Sequence, residues 1–366
     1  MDLETLLNRA ENARASSRFA EAERIFKALA RHASLDAADR AQALLGLADM
    51  ERIQGYFTQS LQHYQKASKI LAKDDPEAYW DAQVGWALAA RACGRPQEAL
   101  GVLRRALQAY QKQKDTHGVA FAHWALGGTL RIAGRMKEGL KELQTALRIF
   151  KSLRNDEGTA YTCCALGGLF RMLGRYAESG NYYREANRRM RQRRDTFGIA
   201  YSYCGLGNVE RMAGRYPKAL PFYKKAEKLY GTIGDRVSYA YTLWSLGTTY
   251  KMLGHNPNAL SAFQKADQLF IKTGDTRGRI YTLLGFAEVE WLKAADTHFP
   301  RPVRERARVR GNASWKKAKS IADKSHYAWE SLHVESLKGG RINKLSSRYR
   351  KSGSRFYPSI LPVNWP

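Results

Sequence analysis

The chain has 366 residues, 44% hydrophobic and 26% charged, a composition that fits an ordered soluble protein and argues against disorder. It has no run of about 18 apolar residues, which argues against a membrane-spanning helix. The start Met1-Asp2-Leu3-Glu4 lacks the basic and apolar parts of a secretory signal, so a cytoplasmic protein without a membrane partner is expected. Lysine and arginine number 61 against 34 acidic residues, net +27, which implies an anionic partner, either nucleic acid or acidic protein surface. The excess is uneven, with net −1 over residues 1–50 and net +12 over residues 297–366.

Three markers recur along the chain. A glycine falls at Gly94, Gly134, Gly174, Gly214 and Gly254, each 40 residues apart, preceded by Gly55 and, at the same place in the first unit, Ser17. Twelve residues later stand Ala67, Ala106, Ala146, Ala186, Ala226 and Ala266, with Leu29 in the first unit. An acidic or amide residue recurs at Asp36, Asp75, Asp115, Asn155, Asp195, Asp235 and Asp275. A fixed period of this length is the mark of a repeat array.

Each unit reads as two helices. The Asp or Asn is a helix N-cap, because its side chain can accept from free backbone N–H groups. In the sixth unit helix A is expected over Thr196–Met212, ended by Gly214 in the left-handed conformation. Helix B follows from Tyr216, with Pro217 in the first turn, where a missing N–H costs little. Gly127, Gly167, Gly207 and Gly247 each cost a helix interior about 1 kcal/mol, so they are expected where helix A approaches a neighbour closely. After Asp296 the period breaks. The expected organisation is a repeat array over 1–296, comprising seven units and helix A of an eighth. An Arg-rich insertion over 297–311, expected as a loop, then precedes a last helix B and degenerate capping helix over 312–341. A basic, Pro-containing tail covers 342–366.

Leu206, Gly207, Gly214, Ala219, Tyr223 and Ala226, with Leu246, Gly247, Tyr250, Gly254, Ala259, Phe263 and Ala266 one unit later, resemble the tetratricopeptide-repeat superfamily. The 40-residue period and Leu206-Gly207-Asn208 are similar to its long-helix branch of Leu-Gly-Asn repeat proteins, kinesin light chains and bacterial peptide sensors. The resemblance covers roughly residues 5–295. It implies an all-α, right-handed superhelical solenoid whose concave groove is lined by one stripe of helix A.

Residues at steps of three and four share a helix face. Read across units, that stripe forms four ladders: Phe121, Tyr161, Tyr201, Tyr241, Tyr281; Trp124, Cys164, Cys204, Trp244; Gly128, Gly168, Asn208, Thr248; and Arg131, Arg171, Arg211, Lys251, continued upstream by Arg91 and Arg52. Arginine forks match carboxylates and tyrosine adds flat contact area with a polar tip. The expected function is therefore a scaffold or adaptor holding an acidic, extended protein segment. Asn208 is expected on a ligand's backbone amide, by its role in peptide-binding relatives, and Gly128 and Gly168 are expected to leave depth for side chains. Packing of each Tyr on the next repeat, and pairing of each Arg within its turn, explain the same pattern without a ligand.

The alternative reading is RNA association through basic residues interleaved with aromatics. Its candidates are Arg304, Arg306, Arg308 and Arg310 in the insertion and Arg348, Arg350, Lys351 and Arg355 in the tail. A second basic cluster spans Arg184–Arg194. No catalytic constellation stands out: there is no phosphate-binding loop and no HExxH, and Glu288 and Glu290 fall on different helix faces. An enzyme is not expected, nor a cofactor. Cys93, Cys163, Cys164 and Cys204 form no CxxC pair, so no metal is expected either.

Overall fold

The computed structural model describes residues 3–32, 34–325 and 327–338, together with 347, 350–351 and 363–364. Among the described residues there are seventeen helices and no strand. The first eight are α1 Leu3–Ala15, α2 Phe19–Ala30, α3 Ala37–Gln54, α4 Phe57–Asp74, α5 Pro76–Ala92, α6 Pro96–Gln113, α7 Thr116–Ile132 and α8 Met136–Ser152. Then come α9 Asp156–Met172, α10 Tyr176–Gln192, α11 Thr196–Met212, α12 Tyr216–Ile233, α13 Arg236–Met252, α14 Asn256–Thr273, α15 Thr276–Ala295, α16 Arg301–Lys324 and α17 Ala328–Leu337. Odd-numbered helices up to α15 are the A helices of the repeat.

The chain divides into two compact units. The first comprises Met1–Leu169, Asn181–Ser202 and Leu229–Asp235, and the second Phe170–Gly180, Tyr203–Lys228 and Arg236–Pro366. In the first, α3 packs on α4 and α5, and α5 on α6 and α7. In the second, α13 packs on α14 and α15, and α15 on α16 and α17. Each unit has its own apolar core, the first around Leu88, Leu103 and Leu126, the second around Tyr223, Leu246, Phe263 and Phe270. In the first unit Phe19 of α2 also meets Phe197 of α11 edge to face, 5.7 Å between ring centroids.

The marker residues carry the turns. Gly55, Gly94, Gly134, Gly174, Gly214 and Gly254 all have positive φ, and Ser17 takes the same left-handed conformation at φ 57°. Five of the seven expected caps are seen to act: Asp36, Asp75, Asn155, Asp195 and Asp275 each accept from the backbone N–H three residues on, at 2.7–3.0 Å, whereas the Asp115 side chain makes no cap hydrogen bond. Gly247 marks a close approach, since a Cβ there would lie 2.7 Å from the buried ring of Phe263.

The Arg-rich stretch is helical, not a loop. It forms the first turns of α16, a single 24-residue helix capped by Pro300 and carrying Pro302 in its first turn. Ala307, Gly311, Ala318 and Ala322 form its buried stripe. A Cβ on Gly311 would lie 2.6 Å from the Trp291 ring of α15, so small residues at helical spacing fasten α16 closely to α15. The degenerate capping helix is α17. The Gly340-Arg341 turn lies outside the described residues.

Glycine substitutions separate packing from propensity. Gly101 lies in the interior of α6 with open space where a Cβ would go. Gly101→Ala should therefore stabilise by about 0.5–1 kcal/mol, and Gly247→Ala should destabilise by about 1–3 kcal/mol by displacing the Phe263 ring. Thermal melts followed by helical circular dichroism check both signs.

Candidate functional site

The fourth ladder places cations on helices that are mostly buried, and each cation needs an acceptor. In the first unit Arg52 of α3 has one. Its Nη2 lies 2.8 Å from Asp49 Oδ1, and the Tyr64 hydroxyl accepts from Arg52 Nε at 3.2 Å while donating to Asp49 at 2.6 Å. Arg91 of α5 has no carboxylate among the described residues. It donates to Thr129 Oγ1 at 3.5 Å and lies 6.0 Å from the Trp124 ring centroid. Burial, then the charges of Arg131 and Arg52, push Arg91 down to about 10. The half-buried Arg131 therefore belongs to the same cationic cluster. A Cβ on Gly128 would lie 2.7 Å from Arg91 Nη1, so Arg91 takes the depth expected there for a ligand. At Gly168 the Tyr183 hydroxyl, 3.3 Å from such a Cβ, does likewise.

Beside the cations stand aromatics. Phe121 is 38% exposed and stacks on Trp124 at 5.4 Å, and the Trp124 Nε1 is buried without a hydrogen-bond partner. Tyr201, also 38% exposed, stacks on Phe197 at 6.4 Å. Tyr161 is used inside the repeat: its hydroxyl donates to the Asp195 cap at 2.8 Å.

The second unit repeats the motif of Arg52, Tyr64 and Asp49 with one change. Arg211 Nε donates to the Tyr223 hydroxyl at 3.1 Å, and Tyr223 donates to Asn208 Oδ1 at 2.8 Å. Asn208 Oδ1 also receives Arg211 Nη2 at 3.2 Å and the Ser245 hydroxyl at 3.3 Å. Asn208 therefore holds Arg211 and Tyr223 in place, which differs from the expected grip on a ligand amide. Being neutral, Asn208 brings no counter-charge of its own to Arg211, where Asp49 brings one to Arg52. Arg211 is fully buried, lies 5.4 Å from the Trp244 ring centroid, and directs Nη1 at Asn364 Oδ1, 2.6 Å away. Asn364 Nδ2 returns a bond to the Arg211 carbonyl oxygen at 2.8 Å.

One unit further on, Lys251 Nζ pairs with Glu288 Oε2 at 2.8 Å, both side chains fully buried. Burial pulls Lys251 below its ordinary value, against the opposing effect of Glu288. The same Nζ donates to the Val363 carbonyl oxygen at 2.8 Å, and the Val363 N–H donates to Glu288 Oε2 at 2.7 Å. Two residues of the C-terminal segment thus lie against the helix A stripe of this unit. Not every ladder position is so engaged. Arg171 Nε and Nη1, Trp244 Nε1 and Thr248 Oγ1 are buried without a hydrogen-bond partner. Tyr241 is bonded to the Asp275 cap, and Tyr281 to Glu330 and His333 of α17 at 3.0 and 3.1 Å.

The sequence reading named Glu288 only as a carboxylate that forms no catalytic pair with Glu290, although it stands 40 residues after Thr248 and so continues the third ladder. The C-terminal pair carries no periodic signal at all.

The basic clusters are more dispersed. On α16, Arg306 and Arg308 are exposed, Arg304 is half-buried, and Arg310 pairs with Glu290 at 2.8 Å. Arg350 and Lys351 are helical and exposed, whereas Arg348 and Arg355 lie outside the described residues. In the first unit the cluster on α10 and the turn after it is matched by acids in part: Arg188 and Arg189 pair with Glu185, Arg189 also with Asp156, and Arg193 with Glu157. Among the described residues no helix is long and apolar enough to cross a membrane, and no group of three or more His, Cys, Asp or Glu side chains could hold a metal ion.

Breaking the buried pair from one side should be expensive. Lys251→Met strands the Glu288 carboxylate and should cost about 3–5 kcal/mol. The double variant Lys251→Met/Glu288→Leu should recover much of that loss, as read from denaturant midpoints.

Family models for the tetratricopeptide repeat match residues 118–192 and 198–271, and a second such model matches residues 7–76. No curated protein sequence matches the chain. Among solved structures, the Rap conjugation gene regulator of plasmid pLS20 in complex with the Phr* peptide superposes with a TM-score of 0.61 at 13% identity, over 88% of this chain and 97% of that one. A Rap protein complexed with Competence and Sporulation Factor gives 0.60 at 12% identity, over 96% and 98%. The APC/C hetero-tetramer Cut9-Hcn1 gives 0.60 at 15% identity, over 90% of this chain and 55% of that one. At these identities the superpositions speak for the fold, an all-α array of helix–turn–helix repeats. Together with the repeat models, which span more than half of the sequence, they show that the chain belongs to the tetratricopeptide-repeat superfamily.

Proposed function

We propose that the protein is a non-catalytic interaction scaffold whose helix A stripe binds an extended, acidic protein segment. The observation that carries this reading is the cationic cluster around Arg91. Arg91 is mostly buried and has no carboxylate among the described residues, and it lies beside an exposed Phe121–Trp124 stack whose indole N–H lacks an acceptor. A carboxylate would fit the guanidinium fork, and an apolar or aromatic neighbour would cover Phe121. Two solved tetratricopeptide-like neighbours are complexes with a peptide or with a named factor, which is compatible with this use of the fold.

The test uses a fluorescent acidic–aromatic peptide, such as an alternating Glu/Phe twelve-mer, and a random oligonucleotide of similar charge. The peptide should bind the full chain, and Arg91→Glu/Arg131→Glu should weaken it at least about a hundredfold with unchanged helical circular dichroism. Unaltered peptide affinity in that variant would contradict the reading. Tighter, steeply salt-dependent oligonucleotide binding would replace it with nucleic-acid association.

A further inference from the structure

We infer that the second unit contains a separate peptide site, selective for a small apolar residue followed by Asn, which the chain's own Val363–Asn364 occupies as a tethered competitor. The inference rests on the helix A stripe being a ligand-binding face, but it needs no acidic ligand.

Three observations carry it. Lys251 and Glu288 form a pincer on the main chain of a single residue, the ammonium holding the Val363 C=O and the carboxylate holding its N–H. Such a grip reads an extended backbone and is indifferent to the side chain, apart from the buried space that Val363 fills. Arg211 then reads the next side chain with both a donor and an acceptor, Nη1 to Asn364 Oδ1 and its own carbonyl oxygen from Nδ2. A carboxamide supplies that complement from two atoms on one carbon: an Asp would lose the donor and a Leu would lose both bonds. Finally, the helix A stripe of this unit holds further buried polar atoms. Arg171 Nε and Nη1, Trp244 Nε1 and Thr248 Oγ1 stay buried and unpaired, and buried polar groups left without partners are costly. A ligand with further polar groups could satisfy them.

Tethering gives the resident segment an effective concentration on the order of millimolar. An external peptide must therefore compete, and weakening the tethered copy must reveal the site. The probe is a fluorescent peptide with the sequence of Leu361–Pro366, titrated into the full-length protein and into its Asn364→Ala variant. The variant should bind the peptide at least about tenfold more tightly than the unsubstituted protein. A probe with Ala in place of its own Asn should lose at least about tenfold on the variant. Arg211→Gln added to Asn364→Ala should lose the probe while retaining the helical circular dichroism spectrum. Equal affinity of the two proteins, or no binding to the Asn364→Ala variant, would overturn the inference. Loss of acidic-peptide binding alone would leave it standing, because that ligand is assigned to the first unit.

Discussion

A cation buried on a helix must find an acceptor, and the chemistry of the helix A stripe follows from how that demand is met. The repeat places Arg or Lys at one position of helix A in consecutive units, from Arg52 to Lys251. Desolvating a guanidinium or ammonium costs several kcal/mol unless it is paired or hydrogen-bonded. Each unit therefore either supplies the acceptor from its own residues or depends on one from elsewhere.

The register of the repeat decides which. Three positions recur as a set: the cation, the residue three before it, and the helix B residue twelve after it. In the second repeat they are Arg52, Asp49 and Tyr64, and the charge is closed internally. In the sixth they are Arg211, Asn208 and Tyr223, with the same bonds but a neutral amide. Arg211 also donates to Asn364. In the seventh, Lys251 finds Glu288 on the following helix and, with it, grips the Val363 backbone. The helix hairpin is the same in all three, and small changes at one position decide whether the cation is bonded within its own repeat or also to the C-terminal segment.

Much of this could be read from the sequence. The period located the turns up to Asp275, because glycine and most of the Asp/Asn caps act locally, and even Ser17 adopts the left-handed turn expected of its marker position. The four ladders identified Arg211 and Lys251 but not their partners. The tyrosine ladder was ambiguous because a ring at that position can face a ligand or the next cap; Tyr161 faces the cap and Tyr201 is exposed. The α16 helix was hidden by its arginines, since its packing stripe consists of Ala and Gly, which leave no hydrophobic periodicity. The contacts of Val363 and Asn364 span 75 to 153 positions along the chain, and no local pattern encodes a pairing of that range.

The central claim is that the cation ladder of the second unit grips the C-terminal segment through its backbone and one carboxamide. Amide hydrogen exchange at Val363 tests it most directly, comparing the unsubstituted protein with Asn208→Asp, in which Arg211 gains the counter-charge that Asp49 gives Arg52. The account predicts Val363 exchange slowed by at least about a hundredfold relative to an unstructured peptide, and markedly faster exchange in Asn208→Asp. Exchange at the unstructured rate in the unsubstituted protein would contradict it.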